Sequence, residues 1–149
     1  MLIENRMRSI KIFPLTLHSD ERGYLMNPLE EENIKGVTPH HFHVYTIEPG
    51  FIRGNHLHSV RDEYILSFLG SAILAIFDPD SGNILEKHVF EQDKPAGAFV
   101  PRETYHCLYN HSKQTFIGAS FSKQYYADKD ETVRSAISWK RLRSMLTED

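Results

Sequence analysis

Short apolar runs punctuated by turn-forming residues dominate this chain and limit what it can fold into. IKIFPL precedes the polar stretch HSDERG, and HVYTI leads into EPG. YILSFLG and SAILAIF run into the turn from Asp78 to Asn83; ILEKHVF, GAFV, YHCLYN and TFIGASFS follow, separated by DKPAG, PRE and HSKQ. Many brief β-rich segments with Gly, Pro and Asp between them predict an all-β sandwich or barrel. No repeat, low-complexity tract or linker divides the chain, and 149 residues suit one ordinary domain. The expected layout is a single domain over 1–149, with the barrel spanning roughly 8–126.

The tail has another pattern. DKDETVRSAISWKRLRSMLTED, from Asp128, carries acids first and Lys140, Arg141 and Arg143 later, the order a helix dipole favours. Val133, Ala136 and Ile137, then Trp139, Leu142 and Leu146, have partial helical spacing. This predicts a helix over roughly 129–147 lying on the β domain, with Trp139 as its anchor.

Composition narrows the function. The formal net charge is -3 and no basic block exceeds KRLR, which gives nucleic-acid binding little electrostatic support. The single cysteine, Cys107, excludes an intramolecular disulfide and suits a reducing compartment. The opening MLIENRMRSIKIFPLTL lacks the apolar core of a signal peptide, and no stretch approaches the ~20 apolar residues of a membrane helix. A soluble, cytoplasmic protein with no membrane or nucleic-acid partner is expected.

Nine histidines are the compositional oddity, and all but His18 cluster from His40 to His111. In GFIRGNHLHSVRDEYILSFLG, His56 and His58 are two apart, so on a strand they share a face. A turn over Ser59–Asp62 can fold Glu63 back beside them. Two imidazoles and a carboxylate converging this way suit a first-row divalent metal, and His106 in VPRETYHCLYN offers a further nitrogen. Cys107 follows His106 and by alternation faces the other way, as a buried small hydrophobe. His41 and His43 in PHHFHV share a face and are candidates for the barrel mouth, although a partly exposed pair is the plainer expectation.

The pattern G-x5-H-x-H-x4-E-x6-G, from Gly50 through His56, His58 and Glu63 to Gly70, resembles the first motif of the cupin superfamily. P-x4-H-x3-N, from Pro101 through His106 to Asn110, resembles the second, with Glu103 where glycine is usual. The resemblance implies a double-stranded β-helix, or jelly-roll barrel, with a C-terminal helix following. It also implies a divalent metal, one of zinc, iron, nickel or manganese, on His56, His58, Glu63 and His106. SDERGYL, IRGNH and SKQYYADKDETVR resemble elements of the nucleotide-sugar cupins, the dTDP-4-keto-6-deoxyhexose 3,5-epimerases and 3,4-ketoisomerases. RGNHLH with Glu63 is also similar to the metal-containing cupin domains of capsule-sugar enzymes.

The second resemblance implies a sugar-nucleotide isomerase or epimerase, a homodimer serving cell-surface polysaccharide synthesis. Arg22 and Arg53 would bind the pyrophosphate, guanidinium forks being suited to it. Tyr125 or Tyr126 would be the acid, and His56 the base only if no metal is bound. A metal-bound nitrogen has no lone pair for a proton, so a metalled His56 passes that task to Tyr105, Tyr125, Tyr126, His41 or His43. Two other readings stand beside this one: a metal-dependent dioxygenase or sugar-phosphate isomerase, and a non-catalytic cupin that binds a metal or small ligand.

Overall fold

A computed structural model describes residues 9–125 and 131–147 of the chain. Its strands are β1 (Lys11–Pro14), β2 (His18–Asp20), β3 (Gly23–Leu25), β4 (His40–Ile47), β5 (Ile52–His58) and β6 (Glu63–Leu69). They continue as β7 (Ala72–Phe77), β8 (Ile84–Phe90), β9 (Ala96–Val100), β10 (His106–Tyr109), β11 (Phe116–Ser122) and β12 (Thr132–Arg134). A single α-helix among the described residues, α1, spans Trp139–Thr147. One sheet has the order β1-β9-β6-β11-β4 and a second β12-β5-β10-β7-β8, all pairs antiparallel, while β2 and β3 form a separate hairpin. This is the expected all-β jelly roll.

Alternation along the strands builds three apolar layers. Ile65 of β6, Leu74 and Ile76 of β7, Leu108 of β10 and Phe116 of β11 point inward and pack between the sheets. Tyr64, Leu66, Ala119 and Phe121 point outward from the first sheet and are covered by Phe13, Leu15 and Ile34. Ile73, Ala75, Phe77, Cys107 and Tyr109 face outward from the second sheet, beneath Leu142 and Leu146 of α1. Strand β7 is therefore buried along its whole length, and AILAIF reads as a continuous apolar run. Cys107 lies fully buried on the face opposite His106, as alternation predicts.

The helix is shorter than expected. It begins at Trp139 and not near 129, because Thr132–Arg134 pairs with the free edge of β5. Ser138 sets its start: the Ser138 Oγ accepts the Arg141 N–H at 3.1 Å, an N-cap hydrogen bond. Leu142 and Leu146 anchor it, each worth about 1.5–3 kcal/mol of burial. Trp139 is 46% exposed and is not the anchor. No helix among the described residues is long and apolar enough to cross a membrane.

Candidate metal centre and its cavity

The four residues singled out from spacing converge. One donor atom each from His56, His58, Glu63 and His106 lies within 4.8 Å of every other. His56 and His58 come from β5, Glu63 opens β6, and His106 opens β10 directly opposite His56. His58, Glu63 and His106 are buried, while His56 is half-buried and lines a cavity of about 180 Å³ between the sheets.

A bulge aims this constellation. Simple alternation would send Arg53 and His56 to opposite faces. Leu108 pairs with Arg53, Cys107 with Gly54 and His106 with His56, so Asn55 is the extra residue. Gly54 (φ +91°) and Asn55 (φ +60°) adopt left-handed backbone, which turns Arg53 inward beside His56. A Cβ on Gly54 would stand 3.2 Å from both Cys107 Cα and His106 O, so glycine is required for strand approach as well as for φ. Asn55 secures the bulge by donating from Nδ2 to Ile137 O at 2.8 Å. Glu103, in the usual glycine position, takes glycine's conformation (φ +61°), and its N–H donates to His58 O at 2.7 Å. Asn110 is structural: its Nδ2 donates to Ile47 O and Gln114 O, each at 2.7 Å.

The ring nitrogens are oriented from behind. His106 Nδ1 stands 2.9 Å from Thr104 O, a carbonyl that can only accept, which leaves the Nε2 lone pair pointing at the cluster. His58 Nδ1 meets the Glu131 carboxylate at 3.2 Å. Glu63 Oε2 lies 2.9 Å from His58 Nε2 and 3.2 Å from His106 Nε2, yet no N–H is aligned on it as a hydrogen bond. A buried carboxylate oxygen this close to two imidazole nitrogens either accepts a hydrogen from one of them or shares a cation with both. First-row metals bind N and O at about 2.0–2.2 Å, which sets donors on one ion roughly 3–4 Å apart.

Protonation states at His56 and Glu63 agree with such a set, while His106 must give up a proton to join it. Burial, reinforced by neighbouring His106 and His58, pushes the His56 imidazole down to about 3, so it is neutral. Burial alone would favour a neutral Glu63, but the His106 and His58 rings outweigh it and hold the carboxyl well below its ordinary range. Burial disfavours a charged His106, and Glu63 reverses that to raise its pKa. A neutral imidazole and an ionised carboxylate are the forms that ligate a metal.

The other sequence candidates are distributed unevenly. Arg53 lines the cavity, its Nε donating to Thr46 O at 2.9 Å and its guanidinium 5.9 Å from the centre of the Tyr45 ring. His43 lines it too, but His41 does not: φ +53° at His41 breaks the alternation, and its ring stacks on Tyr125 at 5.8 Å. Tyr125 is 72% exposed and outside the cavity wall. Tyr105 packs against Phe77 on the outer face of the second sheet, which removes it as a proton carrier. Tyr126 falls outside the described residues. Arg22 sits in the β2–β3 hairpin with its guanidinium on Asp20, Nη2 to Oδ2 at 2.5 Å, and does not reach the cavity of its own chain.

Sequence reasoning missed two groups. Tyr45, two residues after His43 on the same face of β4, lines the cavity and shares a 3.0 Å hydrogen bond with Ser120 Oγ. Its period-two relation to His43 and Ile47 was the available signal. Glu131, buried behind His58, lies within SKQYYADKDETVR, but only the pairing of β12 with β5 brings it to the site.

The jelly roll and its inward histidine–carboxylate cluster are those of a cupin. A family model described as FdtA, WxcM-like, C-terminal, matches residues 8–143, and the chain belongs to that family. Among solved structures, a 3,4-ketoisomerase from Helicobacter canadensis aligns at TM-score 0.66 and 19% identity, covering 92% of this chain and 97% of the other. QdtA, a sugar 3,4-ketoisomerase from Thermoanaerobacterium thermosaccharolyticum solved with TDP, aligns at TM-score 0.63 and 15% identity, covering 97% of each chain. The capsular polysaccharide assembling protein CapF from Staphylococcus aureus aligns at TM-score 0.58 and 17% identity, over 84% of this chain and 33% of that one. No curated protein sequence matches the chain. At these identities the structural likenesses establish the shared fold.

Proposed function

We propose that the protein is a divalent-metal cupin that isomerises or epimerises a nucleotide-linked keto-deoxy sugar in cell-surface polysaccharide synthesis. The observation that carries the reading is the cavity itself: His56, Glu63 and His106 stand in the same lining as Arg53, Tyr45 and His43. Family membership and a fold shared with named sugar ketoisomerases support the nucleotide-sugar part of it.

Moving a keto group along a sugar requires a proton to leave a carbon beside the carbonyl and another to return. A divalent ion on His56, His58, Glu63 and His106 would supply Lewis acidity toward a carbonyl oxygen. His56, as a ligand, is then not the base. His43 takes that role. Its Nδ1 is 3.0 Å from His41 O, a carbonyl acceptor, so Nδ1 carries the hydrogen and Nε2 the lone pair. Tyr45 is the donor: burial pushes its phenol up, so the hydroxyl keeps its proton while Ser120 orients it. Arg53, fixed through Nε to Thr46 O, presents its remaining N–H groups to the diphosphate.

A homodimer belongs to the proposal. Strand β4 is a sheet edge with Phe42 50% and Val44 62% exposed, an edge that a second copy would cover.

The test is incubation with a dTDP-4-keto-6-deoxyhexose in D2O, followed by proton NMR. Deuterium should enter beside the carbonyl, and dTDP alone should raise the melting temperature of wild type but not of Arg53→Ala. Absence of both exchange and thermal shift overturns the reading. A dTDP shift without exchange would instead indicate a binding protein, and oxygen uptake with ferrous-loaded protein and diols an oxygenase.

A further inference from the structure

His58 is gripped from behind by a carboxylate that lies outside both histidine-bearing motifs. Glu131 stands just before β12, and its side chain is 1% exposed. Its Oε2 lies 3.2 Å from His58 Nδ1 and 3.5 Å from Arg61 Nε, and its Oε1 accepts the Val60 N–H at 3.3 Å. The main chain holds it in place, since Ser59 donates to Glu131 O from both N–H, at 3.1 Å, and Oγ, at 3.0 Å. Thr132 Oγ1 stands 3.2 Å from His58 Nδ1. The turn that carries the chain from His58 to Glu63 thus rests on Glu131, through Ser59 on its carbonyl and Val60 and Arg61 on its carboxylate.

An ionised carboxylate only accepts hydrogen bonds, so at that distance it keeps the hydrogen on His58 Nδ1 and leaves the Nε2 lone pair for the cluster. Thr104 O does the same for His106, but with a neutral carbonyl. A carboxylate behind a ligating imidazole also raises the basicity of the ring, which a carbonyl does more weakly. We propose that Glu131 is a positioning residue for the metal centre, setting the tautomer of His58 and the affinity of the four donors for a divalent cation. The inference rests on the reading that His56, His58, Glu63 and His106 hold such a cation. It gives the segment carrying β12 a task beyond covering the edge of β5.

The experiment uses the full chain, stripped with chelator and titrated with Co(II). Wild type should take one equivalent and develop d–d bands. Glu131→Gln should bind about 10–100-fold more weakly with shifted bands, and Glu131→Asp should recover part of the loss. If Glu131→Gln lowers the melting temperature in EDTA but leaves cobalt affinity and bands unchanged, the residue is structural only and the proposal is overturned. If Glu131→Gln does not fold, long-range 15N–1H spectra of zinc-loaded wild type decide. A proton on His58 Nδ1 with Nε2 on zinc supports the proposal, and the reverse overturns it. No cobalt uptake by wild type removes the metal reading and this inference with it. Uptake by wild type with equal uptake by Glu131→Gln removes the inference alone.

Discussion

Gly54→Ala tests whether the bulge in β5 is what holds the site together. At φ +91° an L side chain is strained by about 1–2 kcal/mol. The added methyl would also stand 3.2 Å from Cys107 Cα and from His106 O, main-chain atoms of the paired strand that cannot swing aside. Relieving those contacts moves β10 and raises the expected loss to about 2–3 kcal/mol. Gly36→Ala is the matched control, because Gly36 has φ +85° with nothing within 4 Å of the new methyl. It should cost only the conformational ~1–2 kcal/mol, and the entropy an alanine removes from the unfolded chain cancels between the two variants. Urea unfolding should therefore rank Gly54→Ala below Gly36→Ala by about 1 kcal/mol. Since His106 faces His56 across this bulge, only Gly54→Ala should also weaken Co(II) uptake. Equal stability and equal cobalt affinity for the two variants would refute the argument.

Tyr45→Phe removes the hydroxyl shared with Ser120 and should lower turnover by about 10²–10⁴-fold while the unfolding midpoint moves little; a variant of full activity would dismiss Tyr45 as the acid. Leu142→Ala empties the buried contact between α1 and the second sheet and should cost about 2–5 kcal/mol, measured by urea unfolding. Burial pushes the Cys107 thiol up to about 12, so at pH 8 almost none is thiolate: iodoacetamide should leave the native protein unlabelled and label it in urea, as mass spectrometry would show.

What the sequence disclosed follows from the range of the interactions that fix each part. Short apolar runs between turns are a local signal, so YILSFLG, SAILAIF and ILEKHVF each contain a strand, and alternation assigned Cys107 to the face opposite His106. Helix spacing in the tail is local too, but the edge of β5 claims Thr132–Arg134 before a helix can form there. The gathering of His56, His58 and Glu63 was legible because their spacings match strand and turn geometry, and the resemblance to the second cupin motif placed His106 with them. The bulge at Gly54 and Asn55 was hidden, since alternation alone sets Arg53 against His56, and only the register with β10 reverses that. Glu131 was hidden more deeply: it meets His58 across 73 positions of sequence.

The choice at His56 between ligand and base depends on its neighbours. A free base needs an accessible lone pair and one partner to orient it. His56 instead has His58, Glu63 and His106 placing donor atoms within 4.8 Å of its own. On the proposed reading His43 and Tyr45 would supply the lone pair and the proton, so ligation of His56 would not leave the chemistry without a base. Chelator treatment separates the alternatives. With His56 as ligand, stripped protein should lose turnover at pH 7 and recover it with one equivalent of divalent metal. Turnover that survives stripping, and is abolished by His56→Asn, would return the histidine to the role of base.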